Sequence, residues 1–358
     1  MRTGPAPRSG RPTLVPVTVA PTATPSASRL ERLRPRWTHR AVVANLVAQI
    51  GIVVTGGAVR LTGSGLGCST WPQCEPGRFT PELHAAMGIH PLIEFGNRTL
   101  TFVLVVLAAA VALLVGLDRS RSRRERVWGW VPIVGVVVQA VVGGITVLVD
   151  LHPAVVGSHF MLSMVLVAAS TWVLVRTREP DGPVVPVVGP RTRLLAGALA
   201  LVGAVVLALG VVVTGAGPHS GDEEVGYRFA VDPYLMARVH AASVWLFTGL
   251  VALTVAVLVR ARRVAAVTAT ADRPAGATTA TVERALRSAL VLTAVTLGQG
   301  LVGYVQFFTG LPIALVNLHM LGAAVLTWAI VAYLGTLRVP VRSLVPRSEP
   351  SQETGAAV

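Results

Sequence analysis

The sequence has no lysine and carries little charge of any kind. Only 13% of its 358 residues are charged and 53% are hydrophobic, whereas a soluble domain carries roughly 25% charged residues. This composition excludes a soluble globular protein and predicts an integral membrane protein. All 31 basic residues are arginine, and they lie between the hydrophobic runs. Such a distribution is typical of anchoring on the cytoplasmic side of a membrane and not of a nucleic-acid-binding surface.

Cysteine is nearly absent as well. Cys68 and Cys74 are the only two in the sequence, and they lie six positions apart in one loop. Such a pair can form a disulfide bond if the loop faces an oxidising compartment. The first 39 residues lack an apolar run, so the sequence predicts a disordered tail there and no cleavable signal peptide.

Eight stretches are long and apolar enough to cross a bilayer, which requires roughly 20 residues. Arginines are concentrated in both tails and in the loops after the second, fourth and sixth stretches. The positive-inside rule therefore predicts that both termini are cytoplasmic and that the loop containing the cysteines is outside. The predicted spans are residues 41–59, 93–117, 128–149, 153–175, 194–213, 235–259, 285–308 and 313–335.

Three segments of the first half recur in the second. Residues 51–65 resemble 209–221, the segment at Gln139 resembles that at Gln299, and 151–162 resemble 310–321. Each half has four spans, as expected for parallel repeats related by an axis along the membrane normal. The predicted fold is all-α, with eight transmembrane helices in two four-helix bundles related by a pseudo-twofold axis. Its predicted parts are a disordered cytoplasmic tail at 1–39, an N-terminal half at 40–178, a C-terminal half at 190–338 and a cytoplasmic tail at 339–358.

Polar residues near the outer ends of the even-numbered spans are the first functional candidates, because such residues are costly inside a membrane. At one common depth these spans carry Asn97, His159, His240 and His319. The repeat pairs Asn97 with His240, and His159 with His319. Two imidazoles that face each other across a bundle can hold a haem iron, whereas a zinc site would need further ligands at this depth.

Glu94 is the second kind of candidate. On a helix it shares a face with Asn97 and Arg98, and His90 lies one turn above it. A carboxylate in this place could relay protons or stabilise a cationic intermediate, or it could simply pair with Arg98. The equivalent residue of the second half is Ala237. This asymmetry suggests that one half performs chemistry and the other carries a cofactor.

The sequence around these residues resembles the haem A synthase family of membrane enzymes. The matching segments are GGAVRLTGSGLGCSTWPQC, IEFGNR in the second span, and the SHF, LHM and RVH segments that contain the histidines. The resemblance covers about residues 40–335. It implies the conversion of haem O to haem A for cytochrome oxidase, by oxidation of a porphyrin methyl group to a formyl group.

The resemblance also implies roles for individual residues. The C-terminal half would bind a b-type haem, with the iron held by His240 and His319. Glu94 would be the catalytic residue, and Cys68 and Cys74 would form a disulfide in the outer loop. The substrate haem O would lie in the N-terminal half, close to His159, Asn97, Arg98 and His90.

One position departs from the family pattern, which has a histidine three residues after the glutamate. Here that position is Asn97, and an amide is a poor haem ligand. Two arrangements remain open. His159 could hold the iron alone and leave its other face free, or His90 and His152 could form a second pair nearer the membrane surface.

Other residues have expected roles at the edges of these sites. Arg60, Arg98 and Arg238 could neutralise haem propionates through charge-assisted hydrogen bonds, and Trp71 could cover the substrate site. The expected partners are haem O, a membrane electron donor, haem O synthase and cytochrome oxidase assembly factors, with no nucleic acid. The expected location is the cell membrane of a bacterium with a GC-rich, actinobacterium-like genome.

Two other functions remain open on the sequence. A non-enzymatic membrane cytochrome b would carry a haem in each half, and it would have no need for the single Glu94. A haem carrier would bind its cargo weakly in both halves, which fits poorly with the paired histidines of the second half.

Overall fold

A computed structural model describes residues 29–82, 88–219, 221, 222, 224, 226–267 and 275–341. Within this part of the chain, eight helices are long and apolar enough to cross a membrane, and each overlaps one predicted span. The elements are α1 (Arg29–Leu61), α2 (His90–Val111, continued by a π-helical turn at Ala112–Gly116), α3 (Arg123–Leu148), α4 (Pro153–Thr177), β1 (Val184–Pro186), α5 (Pro190–Ala216), α6 (Pro233–Val267), α7 (Ala275–Phe308), α8 (Ile313–Thr336) and β2 (Arg338–Pro340). The prediction of an all-α membrane protein with eight spans is confirmed.

Helix α1 begins earlier than the sequence predicts. Residues 1–39 are expected to be disordered, but the helix already begins at Arg29. Arg34 forms an ion pair with Asp118 in the α2–α3 connection at 3.3 Å, and the Arg40 guanidinium lies 5.4 Å from the Trp37 ring centroid. These contacts extend the helix beyond the bilayer, and local composition does not reveal them. Residues 1–28 and 342–358 lie outside the described part of the chain.

Prolines and short polar side chains set where several helices begin. Pro153 and Pro190 occupy the first positions of α4 and α5, where the missing N–H costs nothing and the fixed φ angle suits the helix. Ser122 caps α3 by accepting a hydrogen bond from the Glu125 N–H at 3.4 Å. These boundaries keep each apolar run in register with the membrane.

Each half of the chain has its own apolar core. In the second half it includes Phe247, Leu258 and Tyr333, all almost completely buried. In the first half α1, α2 and α4 contribute residues such as Val42 and Val167. The predicted boundary between the halves falls in the α4–α5 connection, and the division into two domains stays a prediction.

Two contacts between the halves, α1 with α8 and α4 with α5, correspond to each other. A side-chain carbon on Gly57 of α1 would lie about 3.1 Å from Met320 of α8 and would also meet Asn317. In the matching α4–α5 contact, Gly157 lies against Val211. In the α1–α8 contact the glycine lies on α1, whereas in the α4–α5 contact it lies on α4, the helix that corresponds to α8. The glycine and the large residue have therefore changed places, as expected for two contacts related by a twofold axis. These contacts support the pseudo-twofold relation, which stays a prediction.

The turns between helices show the same correspondence. Leu151 follows α3 with a φ of 57° and Leu311 follows α7 with a φ of 60°. The N–H of Leu151 donates to the Thr146 carbonyl and that of Leu311 to the Gln306 carbonyl, both at 2.8 Å. A left-handed backbone at a leucine is uncommon, so its occurrence at both matched turns adds support for a repeat.

The halves are also tied together at both ends of the bundle. At the end with the disulfide loop, the Gly65 N–H donates to the Gly221 carbonyl at 2.8 Å, and Arg60 donates to the carbonyls of His219 and Thr214 at 3.0 and 3.2 Å. At the opposite end, β1 in the α4–α5 connection pairs antiparallel with β2 after α8. The α4–α5 connection is therefore fastened to the segment after α8, and Arg338 of that segment lies 4.1 Å from the Trp172 ring centroid of α4.

Candidate functional site

A cavity with a volume of about 1190 Å³ is lined by described residues of both halves. A typical small-molecule pocket has roughly 300–1,000 Å³, so this cavity has room for more than one large flat ligand. Its walls include the predicted site residues Glu94, Asn97, Arg98, His159, His240 and His319.

Residues of the two halves line this cavity in matched positions. Every lining residue of α6, from Ala237 to Thr248, has a lining counterpart 143 positions earlier in α2, as His240 has Asn97. Helices α4 and α8 match in the same way at a separation of 160, as His159 and His319 do. The residue pairs inferred from the sequence repeat are therefore the pairs that occupy matched places in the cavity wall.

The second half brings two imidazoles together. His240 of α6 and His319 of α8 both line the cavity, close enough to interact electrostatically. Each ring lies against a glycine of the neighbouring helix. A Cβ on Gly210 would be 3.3 Å from Cε1 of His240, and one on Gly303 would be 3.1 Å from Cε1 of His319. The glycines thus form cradles that a larger side chain would fill.

Further contacts hold His319 in place. The Gln299 side chain donates to the His319 carbonyl at 3.0 Å, while Nδ1 of His319 is buried and has no hydrogen-bond partner among the described residues. Two cradled imidazoles with an unpaired ring nitrogen, beside a large apolar cavity, fit axial ligation of a haem.

The first half has one such imidazole. His159 lies against Gly143, whose Cβ would be 3.1 Å from the ring Cε1, and the Gln139 side chain donates to the His159 carbonyl at 3.1 Å. Nδ1 of His159 is buried without a partner in the described part of the chain. At the position matched to His240, Asn97 instead accepts a hydrogen bond from the Thr55 hydroxyl at 2.7 Å.

Glu94 is almost fully buried and its carboxylate is fully engaged. One oxygen accepts hydrogen bonds from the Arg98 guanidinium, with the Nε–Oε1 distance at 3.0 Å. The other accepts the Cys68 N–H at 2.7 Å. Arg98 in turn donates to the Thr70 and Gln73 carbonyls at 2.9 and 3.1 Å. The ion pair therefore fastens the outer loop to α2. Glu94 pairs with Arg98 and also lines the cavity, so the structure is compatible with both the structural and the chemical interpretation of this residue.

The outer loop is closed by the predicted disulfide. Cys68 and Cys74 are bonded to each other and completely buried, which confirms that prediction. Within the loop, the Trp71 ring packs against Gly144 of α3 and lines the cavity. Trp71 thus covers the outer end of the cavity in the first half, where the sequence predicts a cover.

The three arginines predicted to bind haem propionates have different environments in the structure. Arg98 is committed to Glu94 and the loop, and Arg60 to backbone carbonyls that join the halves. Arg238 lines the cavity, is exposed, and makes no hydrogen bond or ion pair with the described residues. Of the three, Arg238 is best placed to meet an acidic group on a ligand.

The alternative ligand pair, His90 and His152, is not brought to the cavity wall. Nδ1 of His90 lies 2.8 Å from the Ser64 hydroxyl. His152 caps α4, and its ring centroid lies 6.0 Å from that of Tyr227. Both histidines have structural partners, so the structure does not support the second arrangement. No group of three His, Cys, Asp or Glu residues that could hold a metal ion occurs within the described ranges.

Sequence reasoning missed two features of the site. The first is a glutamine followed four residues later by a glycine, at 139–143 and at 299–303, where both residues contact the histidine of the next helix, His159 or His319. The repeated segment at Gln139 and Gln299 contained this signal. The second is a group of aromatic residues on α6 and α7, formed by Trp245, Tyr304 and Phe308. Tyr304 and Phe308 lie four positions apart on α7 and share a helix face, but Trp245 of α6 meets Tyr304 only when the two helices pack.

Eight helices that are long and apolar enough to cross a membrane surround this cavity, and they define a polytopic membrane protein. The sequence profile of the COX15-CtaA family, described as cytochrome oxidase assembly protein, matches residues 39–331. The match covers most of the chain, and the chain belongs to this family.

Curated relatives agree with this assignment over part of their length. A haem A synthase of Bacillus pumilus is 36% identical over 121 residues, which is 33% of this chain and 38% of the relative. One of Lysinibacillus sphaericus is 28% identical over 139 residues, or 37% and 43%. One of Bacillus licheniformis is 24% identical over 140 residues, or 39% and 45%. The chain thus matches less than half the length of each of these relatives.

Proposed function

We propose that this protein is a haem A synthase, which oxidises a methyl group of haem O to the formyl group of haem A for cytochrome oxidase. The observation that carries the proposal is the asymmetry of one cavity. The second half offers the pair His240 and His319, whereas the first offers His159 with the buried Glu94 nearby. The family membership and the names of the partial relatives support the same reaction.

In this proposal the C-terminal half keeps a b-type haem between His240 and His319. Such a haem supplies single-electron transfer when bound. The N-terminal half receives haem O beside His159, with Trp71 covering the outer end of the site. A non-enzymatic cytochrome b would need two ligand pairs, and Asn97 leaves the first half with only one cradled imidazole.

A difference between the side walls supports this division of roles. The Trp245 indole donates to the Tyr304 hydroxyl at 3.0 Å, and Tyr304 stacks on Phe308 with centroids 6.2 Å apart. These side chains are exposed on the outer surface of the bundle and also line the cavity. The position matched to Tyr304 in the first half is Gly144. The aromatic wall closes the second half toward the lipid, so that haem is retained there and exchanged in the first half.

Trp245→Ala is therefore expected to speed the loss of haem from the C-terminal half by roughly tenfold. The variant loses the hydrogen bond to Tyr304 and the apolar area of the indole, which are together worth about 1.5 kcal/mol. Transfer of haem from purified protein to excess apomyoglobin, followed by absorbance, measures the rate. Phe102→Ala, at the matched position of the first half, is the control and should leave this rate unchanged. Equal rates for Trp245→Ala and the unmodified protein would contradict a retaining role for the wall.

Glu94, Arg98 and the disulfide loop act together on the substrate side. The ion pair fixes the loop, and the loop presents Trp71 over the cavity, which limits the access of water to the reacting group. Glu94 is the buried carboxylate at this wall, and we assign proton transfer on the substrate side to it.

The orientation belongs to the same proposal. We place the chain in the cell membrane, with both termini cytoplasmic and the disulfide loop outside. The arginine-rich connections at the β1–β2 end of the bundle support this orientation, as does a disulfide at the other end. A membrane electron donor and a haem O synthase are the partners that such a reaction implies.

Expression in a host that makes no haem A, together with a haem O synthase, tests the activity. Haem extracted from the membranes and identified by mass should include haem A or its hydroxylated intermediate. The same host with haem O synthase alone is the control. If only haem B and haem O accumulate while the protein is present and folded, the proposed activity is wrong.

A further inference from the structure

Three glycines of the cavity wall each cradle an imidazole, and a fourth does not. Gly143, Gly210 and Gly303 lie against His159, His240 and His319, and a Cβ on each would be 3.1 to 3.3 Å from the ring Cε1. The lining residues of α5 match those of α1 at a separation of 154, which pairs Gly210 with Gly56. A methyl group on Gly56 would meet no atom within 4 Å.

The reason lies in the side chain that replaces the fourth histidine. Asn97 occupies the position of His240 on the matched helix, but the Thr55 hydroxyl donates to its Oδ1 at 2.7 Å. The residue of α5 matched to Thr55 is Leu209, which cannot make this bond. Thr55 thus holds the amide beside α1 and leaves the space in front of Gly56 free.

The same hydrogen bond fixes which part of the amide is available. Because Oδ1 of Asn97 accepts from Thr55, the Nδ2 group is the end left to act on the cavity. Nδ2 makes no hydrogen bond with any residue that the structure describes, and Asn97 lines the cavity. An amide N–H at the wall of this cavity, which Arg98 and His159 also line, is a donor suited to a small anionic or oxygen-containing ligand.

We propose that Asn97 and Gly56 form a binding site for a small exogenous ligand of the haem that His159 would hold, with the Asn97 N–H as hydrogen-bond donor to that ligand and Thr55 as the residue that positions the amide. The inference rests on the proposed function and deepens it, because it assigns a second ligand to the substrate-haem site. Asn97 would then bind the small ligand, and its presence in place of a histidine would not be a loss of function.

Azide is the probe, since it binds ferric haem iron and accepts hydrogen bonds. The full chain is purified with haem in both halves, and azide binding is followed by absorbance and electron paramagnetic resonance. We expect azide to shift the spectrum of the N-terminal haem. The C-terminal haem is the internal control, since both its axial sides are taken by His240 and His319.

Two variants separate the parts of the proposal. Asn97→Leu keeps the branched shape of the side chain, although leucine is larger, and it removes both the N–H donor and the acceptor of the Thr55 hydrogen bond. Azide affinity should fall about tenfold, the usual effect of losing one hydrogen bond to a charged group. Asn97→His places an imidazole in the free space before Gly56, so the N-terminal haem should become low-spin and stop binding azide. Azide affinity in Asn97→Leu equal to that of the unmodified protein would overturn the donor role.

The outcomes also separate this inference from the proposed function. A loaded N-terminal haem that binds no azide would overturn the inference even if haem A is produced. Azide binding with the expected variant effects but without any haem A would overturn the enzymatic activity alone. Failure of the first half to take up haem at all would overturn both.

Discussion

His319→Ala is expected to lose the tightly bound haem of the C-terminal half. In the proposed site the variant would remove one of the two histidines that hold the iron, and His240 would remain as the single ligand. Even the loss of an outer partner of a metal ligand costs roughly 10–100-fold in affinity, so the loss of the ligand itself should exceed roughly 100-fold. The measurement is the haem content and the low-spin spectrum of the purified protein.

His240→Ala should behave in the same way, because the two imidazoles act on one iron. His39→Ala is the matched control, since His39 is exposed on α1 and does not line the cavity. A low-spin spectrum that is unchanged in both His240→Ala and His319→Ala would show that the haem ligands lie elsewhere.

Glu94→Ala is expected to reduce haem A formation by roughly 100-fold, the lower range for loss of an acid–base group, while the C-terminal haem is retained. The variant removes the proton-handling carboxylate. It also leaves the Arg98 guanidinium, only 19% exposed, without its partner. Product yield per folded protein, normalised to the C-terminal haem spectrum, measures the effect.

A double-mutant cycle separates these two consequences. Arg98→Ala breaks the same ion pair and frees the same loop, but it keeps the carboxylate. If Glu94 acts chemically, Glu94→Ala must lose clearly more activity than Arg98→Ala, and the double variant should resemble Glu94→Ala. Equal losses in all three variants would mean that Glu94 only fastens the loop.

Local patterns in the sequence predicted the eight spans and most of the candidate residues that line the cavity. Each apolar run is continuous along the chain, and a histidine at a fixed depth in an apolar helix is conspicuous because it is costly there. The correspondence of His159 with His319 could be inferred from the repeat, because residues 151–162 resemble residues 310–321. The Cys68–Cys74 bond followed from two residues in a single outer loop.

What the sequence could not predict depends on contacts between helices. The sequence similarity between 51–65 and 209–221 aligns Thr55 with Thr214. The residues of α1 and α5 that line the cavity correspond at a separation of 154, which instead pairs Thr55 with Leu209. Only packing reveals this offset, and the role of Thr55 beside Asn97 depends on it. The early start of α1 likewise depends on the ion pair between Arg34 and Asp118, far away in the sequence.

The ties at both ends of the bundle limit how the halves can move. Alternating-access transporters open one face by rocking one repeat against the other. Here the Gly65–Gly221 hydrogen bond and Arg60 join the halves at one end, and Arg338 lies 4.1 Å from the Trp172 ring centroid of α4 at the other. Rocking in either direction would break one of these ties. We therefore propose that haem O enters and leaves the site sideways, within the plane of the bilayer.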